Sequence, residues 1–471
     1  MSSTKEPAAG ANLRSVQGRT LYGVRHKVYP RAVSGAFGHW RWAIVWATQI
    51  VFYGLCWLPW NDRQAVLFHL SERKFYLFDW IFWPQDVFYL AVLLIVCAYS
   101  LFLFTAVAGR LWCGYACPQT VYTEVFLWIE RRIEGDHVAR QKLDAEALGP
   151  RKLALRSGKY LAWAAVGLWT GVSFVGYFSP VRELLPNLLA LNLGGWETFW
   201  IVFYGGFAFL MAGFMREQVC KYMCPYARFQ GVMFDPDTLV ITYDARRGEP
   251  RGGRRRRASG EAHGDCVDCG ICVQVCPTGI DIREGLQYEC IGCAACIDAC
   301  DEVMDKMQLP RGLIRYATEH AIERRWGMGE VLRHVVRPRV LIYSVVLWAI
   351  LGASAWSLMQ RESLRVDVIR DRATLAREVD GGLIENVYTL QFMNMAEAAR
   401  RVAISVSGLE GIAIDGAQEF VLSPAANNSY SVRVRVPADS PERGPHKIQF
   451  EVRPDDTEGK LLQEKTTFIV P

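Results

Sequence analysis

Between residues 266 and 300 the chain reads CVDCGICVQVCPTGIDIREGLQYECIGCAACIDAC, which places eight of its 14 cysteines in one short block. Cys266, Cys269, Cys272 and Cys276 follow C-x2-C-x2-C-x3-C with Pro277 next, and Cys290, Cys293, Cys296 and Cys300 repeat the spacing. This is the bacterial run for two [4Fe–4S] clusters, in which the fourth cysteine of each motif ligates the other cluster. The expected ligand sets are Cys266, Cys269, Cys272 and Cys300 for one, and Cys290, Cys293, Cys296 and Cys276 for the other. Three closely spaced thiolates on a tight turn can cap one cube, while the fourth, held by a following proline, points toward the second. Asp301 stands where the second motif would carry a proline, a local departure that removes no ligand. Structural zinc would show two C-x2-C pairs rather than two runs of four, and disulfides do not suit a reducing compartment.

Four further cysteines repeat a second spacing. RLWCGYACPQTVYTEVF holds Cys113 and Cys117 before Pro118, and EQVCKYMCPYARFQGVMF holds Cys220 and Cys224 before Pro225. A residue before proline avoids the helical region, and proline suits the first position of a new helix. Cys117 and Cys224 should therefore sit at helix N-termini, where the dipole favours a thiolate. Thiolates bind soft metals, including Cu(I), zinc and iron–sulfur centres. The four cysteines, gathered, would make a metal or redox site; taken singly they would be small buried side chains. For Cys56 and Cys97, alone in apolar runs, the packing reading stands, as it does for Met223 beside Cys224.

Both pairs follow apolar runs, which sets the wider architecture. Hydrophobic residues make up 51% of the 471, and five stretches are long and uncharged enough to cross a bilayer. They are Trp42–Pro59, Val87–Ala108, Tyr160–Phe178, Thr198–Met215 and Val340–Met359. Each C-x3-C-P follows an even-numbered span, so the chain reads as two repeats of span, span, C-x3-C-P that bring both motifs to one face. Flanking charge sets the orientation. The N-terminal segment carries Lys5, Arg14, Arg19, Arg25, Lys27 and Arg31; Gly109–Lys159 carries nine Lys or Arg and Arg216–Arg339 nineteen, against three in Trp60–Asp86 and one, Arg182, in Ser179–Glu197. That pattern puts the N-terminus and the cysteine block in the cytoplasm and the C-terminal segment outside. Arg254–Arg257 reads as part of the basic inner loop. The polar N-terminus lacks the pattern of a cleaved signal peptide, and a net charge of +5 is too small and dispersed to suggest nucleic acid. No histidine lies within the spans (His39 and His69 flank the first), which excludes an intramembrane bis-histidine haem. No G-x-G-x-x-G follows a strand, so the donor of electrons is another molecule.

After Met359 the texture changes. ARRVAISVSG, NSYSVRVRVP, HKIQFEVRP and EKTTFIVP alternate β-branched or aromatic residues with polar ones, bounded by turn residues. About seven such strands suggest a cysteine-free immunoglobulin-like β-sandwich that docks or spaces. The expected organisation is a cytoplasmic segment (1–41), a four-helix membrane domain (42–235), a cytoplasmic segment (236–338) with a ferredoxin-like domain near 258–305, a fifth span (339–359) and a periplasmic domain (360–471).

At these residues the chain resembles the CcoG (FixG/RdxA) family of cytochrome oxidase accessory proteins. WCGYACPQTVYTEVF, VCKYMCPYARFQGVMFD, RRGEPRG, the cysteine block and LPRGLIRYAT all look like that family. The resemblance implies a multi-pass protein of the bacterial inner membrane that assists assembly of a cbb3-type oxidase, with oxidase subunits or copper chaperones and transporters as partners. It implies reduction of Cu(II) to Cu(I), with copper at Cys113, Cys117, Cys220 and Cys224 and two [4Fe–4S] clusters as donors. The cysteine runs would also suit a NapH-like subunit passing on quinol electrons, or a scaffold in which clusters only stabilise the fold. A third cluster at the four membrane cysteines is a further variant.

Overall fold

Five long helices cover the five apolar runs: Ala36–Gly54, Val87–Ala108, Pro150–Val175, Gly195–Ala208 extended by a π-helix over Phe209–Met215, and Pro338–Met359. They belong to a computed structural model that describes residues 27–252, 263–371, 376–379, 382–437, 443–455 and 461–471. Arg254–Arg257 and Lys5, Arg14, Arg19 and Arg25 lie outside the described residues. Among the described residues three candidate spans are long and apolar enough to cross a bilayer: Pro84–Ala108, Gly195–Met215 and Pro338–Met359. The other two helices fall short for a compositional reason. Ala36–Gly54 carries His39, Arg41 and Gln49, and Pro150–Val175 opens with Arg151, Lys152, Arg156 and Lys159. Leu93, Leu94, Val345 and Trp348 are exposed around the outside, the disposition of side chains that face lipid.

Small residues let two of these helices touch backbone to backbone, the usual device where both partners are equally apolar. A Cβ added to Gly167 would lie 2.7 Å from the Gly205 carbonyl oxygen, and one on Gly205 would lie 2.9 Å from that of Gly167. Gly171 meets the Ile201 carbonyl even more closely. The Val87–Ala108 and Pro338–Met359 helices pack antiparallel. Arg337 donates to the Ala106 carbonyl at one end (2.6 Å), and Arg361 pairs with Asp86 at the other.

At the Asp86 end lies a three-stranded antiparallel sheet, Val66–His69, Lys74–Leu77 and Trp80–Phe82. It packs Leu67, Tyr76, Ile81 and Trp83 on Met395 of the C-terminal domain. That domain is a sandwich of two antiparallel sheets. One orders Ala413–Asp415, Asn427–Pro437, Leu383–Asn394 and Leu364–Arg370, with Arg377–Val379 beside Leu383–Asn394. The other orders Glu419–Leu422, Arg400–Ser407, Gly444–Pro454 and Leu462–Val470. The described strands number nine, two more than the sequence suggests, because Arg377–Val379 and Ala413–Asp415 are too short to show alternation. Val432, Val434 and Val436 point inward while Arg433 and Arg435 do not, the period of two that the VRVRV run encodes. Tyr388, Phe392, Phe450 and Phe468 fill the core.

At the opposite end, Val240–Tyr243 pairs antiparallel with Ile314–Ala317 and closes the loop that carries the cysteine block. Gly171→Leu should force the two central helices apart and cost about 2 kcal/mol, read as a lower unfolding temperature in detergent. Gly206→Ala, which has open space around it, should leave that temperature almost unchanged.

Candidate functional site

Each run of the cysteine block turns on two left-handed residues: Asp268 (φ 53°) and Gly270 (φ 67°) in the first, Gly292 (φ 70°) and Ala294 (φ 59°) in the second. They occupy the same positions after Cys266 and Cys290. An aspartate and an alanine held there are strained, a condition found where a ligand loop is over-determined by its surroundings. Backbone that alternates between hands forms concavities for anions, and a cube with four thiolates is anionic. The turns run into short and long helices, Ile271–Gln274 and Ala295–Lys306.

The structure places the eight cysteines around two adjoining cavities. Cys266, Cys269, Cys272 and Cys300 line one, with Ile271, Val303 and Leu313. Cys276, Cys290, Cys293 and Cys296 line the other, with Ile241, Ile280 and Ile291. Cys272 lines both, so one side chain separates them. Four thiols on a mostly apolar wall, with Arg283 beside the first set and Thr278 beside the second, fit a [4Fe–4S] cube. Among the described residues no three His, Cys, Asp or Glu side chains stand close enough to hold a single ion. Asp301 accepts from the Gly312 backbone N–H (2.9 Å), tying the second motif to the loop before the closing strand.

The two C-x3-C-P motifs share a local form. Gly109 (φ 53°, ψ −114°) and Arg216 (φ 43°, ψ −114°), each four residues before the first cysteine, end the preceding helix in the same conformation. Cys117 and Cys224 each cap a new helix, Pro118–Glu134 and Pro225–Met233, with proline at its start. They differ upstream: Cys113 lies on a short α-helix, Leu111–Tyr115, and Cys220 on a π-helical turn, Val219–Met223. The four thiols lie in one region, where the charges of Cys113, Cys117 and Cys224 act on Cys220, although no three of them stand close enough to hold one ion. Met223 is half exposed beside them.

Burial of the site acts against the effect of the helix N-terminus at Cys117. Burial pushes the Cys113 thiol up to about 11 and the Cys220 thiol up to about 12. It also raises Cys117, against hydrogen bonds from the Gln119 and Thr120 backbone. These thiols are protonated at neutral pH until a metal displaces the proton.

Contacts that no spacing rule reveals join the two sets of cysteines. Cys113 and Cys220 pack in the same apolar cluster as Cys293, Cys296 and Ile291. A Cβ on Gly114 would lie 2.7 Å from the Gly292 carbonyl oxygen and 2.9 Å from the Cys293 Cα, so the membrane turn and the cluster loop meet as bare backbone. Arg110, 5% exposed, donates to the Cys290 carbonyl (3.4 Å) and to that of Ala227. Arg41 donates to the Cys293 carbonyl (3.3 Å), Tyr316 to Gly292 (2.7 Å) and Lys221 to Thr278 (2.6 Å). The Asp298 carboxylate accepts from the Gly38 (2.7 Å) and Phe37 (3.2 Å) N–H groups at the start of the first long helix, serving as its N-cap from another domain. Gln230, fully buried, accepts from the Cys113 thiol at 3.3 Å.

With this geometry in view, the relatives are informative. The chain is 40% identical over 436 residues to the nitrogen fixation protein FixG of Rhizobium meliloti, covering 85% of this chain and 83% of FixG. It is 40% identical to protein RdxA of Cereibacter sphaeroides, over 89% and 90% of the two chains. The chain belongs to the FixG/RdxA family. Family models agree: "4Fe-4S dicluster domain" matches residues 215–319, "4Fe-4S binding domain" residues 90–135, and "IG-like fold at C-terminal of FixG" residues 354–471. A methylamine utilization ferredoxin-type protein, MauN of Methylobacillus flagellatus, is 23% identical over 36% of this chain and 48% of its own. A crystal structure of a FixG-related protein from Vibrio parahaemolyticus aligns with 23% of this chain and 97% of its own, at 24% identity and a TM-score of 0.22. As a member of the family this chain is a membrane-associated protein with 4Fe–4S-binding domains and a β-rich C-terminal domain.

Gly114→Val should push the Leu111–Tyr115 turn away from Gly292 and lower the unfolding temperature in detergent by several degrees, about what a 2 kcal/mol clash costs. Gly231→Ala, which has open space, serves as the control and should leave that temperature almost unchanged.

Proposed function

We propose that this chain is an iron–sulfur oxidoreductase of the bacterial inner membrane that reduces Cu(II) to Cu(I) for insertion into a cbb3-type cytochrome c oxidase. In this reading Cys266, Cys269, Cys272 and Cys300 hold one [4Fe–4S] cluster and Cys290, Cys293, Cys296 and Cys276 the other. Cys113, Cys117, Cys220 and Cys224 take the copper substrate. The observation that carries the reading is that Cys113 and Cys220 pack against the same apolar cluster as Cys293 and Cys296, beside the close approach of Gly114 to Gly292. The oxidase and copper parts of the proposal rest on the resemblance to the FixG/RdxA family.

The clusters, when bound, supply single electrons. The chain's own residues do the rest. Burial raises the Cys113, Cys220 and Cys290 thiols, and Arg110, which donates to the Cys290 carbonyl, opposes that rise at all three. A buried positive charge there favours negative charge on either side of it. Reduction is Cu(II) plus one electron to Cu(I), and thiolates favour the product. Each protonated thiol that becomes a ligand gives up its proton to water.

A second reading is favoured by one finding: the "4Fe-4S binding domain" match covers Cys113 and Cys117. In it the four membrane cysteines hold a third iron centre and the chain is an electron-transfer subunit. Metal counts separate the two. Under the copper reading, anaerobically prepared protein contains about eight irons per chain, and Cys113→Ser with Cys220→Ser leaves that number unchanged. The double variant should then lose Cu(II) reduction, followed by a Cu(I)-specific chelator, by at least about tenfold. About twelve irons, falling to about eight in the variant, would establish the third centre instead.

A further inference from the structure

Beside the closing pair of strands lies a cavity of about 530 Å3 that no cysteine lines, within the range of about 300–1,000 Å3 for small-molecule sites. Arg246, Arg315 and Arg325 line it against one carboxylate, Asp244. Arg315 pairs with Asp244 at 3.1 Å, Arg246 reaches only the Glu323 carbonyl at 3.1 Å, and the Arg325 side chain has no polar partner among the described residues. The charge left over is positive, in the fork geometry that suits phosphate. Arg247 also lines it but pairs with Asp265, and the remaining lining is apolar, from Ala317, Ala321, Ile322 and Val331, with Trp326 among it. His334 stacks on Trp326 at 4.0 Å between ring centroids and holds the indole in place. The back wall is Tyr316, whose hydroxyl donates to the Gly292 carbonyl inside the Cys290–Cys293 turn. One aromatic side chain thus separates whatever fills the cavity from the second cluster.

We infer that this cavity is where electrons reach the protein, and that its ligand is a phosphorylated planar reductant of the flavin mononucleotide class. The phosphate sits among the arginines and the ring system against Trp326 and the apolar floor, facing Tyr316. A mononucleotide needs no G-x-G-x-x-G turn, which this sequence lacks. On oxidation each reduced flavin loses two electrons, one to each cluster, and two protons, which pass to bulk water. The inference rests on the two-cluster reading but is independent of copper.

The test uses full-length protein with filled clusters in detergent, under anaerobic conditions, with rapid-freeze EPR of the reduced clusters as readout. Photoreduced flavin mononucleotide should reduce them about tenfold faster than reduced riboflavin, which lacks only the phosphate. Arg325→Glu with Arg246→Glu should remove that advantage, while the rate with dithionite stays unchanged. Equal rates for the two flavins, or a double variant that keeps the advantage, overturns the inference. So does an acidic phospholipid that mass spectrometry finds on wild-type protein and not on the variant, if the flavin rates of the two proteins agree. Missing clusters would appear as missing iron, which is a failure of the two-cluster reading and not of this one.

Discussion

Everything else in this structure depends on one backbone contact, Gly114 against Gly292. Two cysteine-bearing turns, one following an apolar helix and one in a ferredoxin-like loop, approach as closely as chains can. Neither position has room for a side chain: Gly292 also meets the Arg110 carbonyl, 3.0 Å from where its Cβ would be, and its φ of +70° disfavours any other residue. The contact would be weak alone. It is held by charged groups that donate to carbonyls on either side of it, Arg110 to Cys290 and Arg41 to Cys293. The Asp298 carboxylate at the start of the Ala36–Gly54 helix adds a third tie between the domains. Backbone carbonyls of ligand loops are thereby fixed from the membrane domain, and the loops cannot drift from the thiols they face.

The second turn is fixed by a different device. Glu130, 1% exposed, accepts from Arg140 (3.0 Å) and Arg216 (2.9 Å) and lies 3.6 Å from Lys159. Burial alone would raise its pKa, but Arg216, Arg140 and Lys159 outweigh that and hold the carboxyl below the usual range. Arg216 is the residue whose left-handed conformation ends the π-helix four residues before Cys220. Its guanidinium is therefore what binds the second cysteine turn to the Pro118–Glu134 helix that the first turn begins. Taking these charges out of water is costly and adds little net stability. What the network does supply is register, because only one placement of the two turns pairs all of its members.

The chemistry was legible in the sequence further than the structure that positions it. Spacing groups the eight cysteines into two crossed sets, and the structure walls two cavities with those sets. Proline after Cys117 and Cys224 marks helix starts, and both are helix starts. The VRVRV run shows a sandwich strand by its period. What could not be read is what depends on distant residues meeting. Arg41 stands just before the Trp42–Pro59 run, and nothing near it in the sequence shows that its partners are Cys293 and Glu124. The burial that raises the Cys117 thiol is not legible either, because a helix N-terminus is a local feature and burial is not. The Val66–Phe82 sheet was missed because strands of three and four residues carry too little alternation to distinguish them from a loop.

The antiparallel pair Val87–Ala108 and Pro338–Met359 sets the distance between the cysteine turns and the sandwich. At one end Arg337 meets Ala106, close to the cysteine turns; at the other Arg361 meets Asp86, at the sandwich. Helices of 22 residues hold those ends roughly 33 Å apart. Between them the helices carry no histidine, and Cys97 is their one cysteine, exposed on the outer face. The sandwich is not a loose tether either, since Glu397 pairs with Asn61 (2.6 Å) and Arg63 while Met395 packs on the outer sheet. On the copper reading proposed above, a metal reduced at Cys113, Cys117, Cys220 and Cys224 would leave on the side of the cysteine block, since these two helices offer it no chain of ligands toward the sandwich.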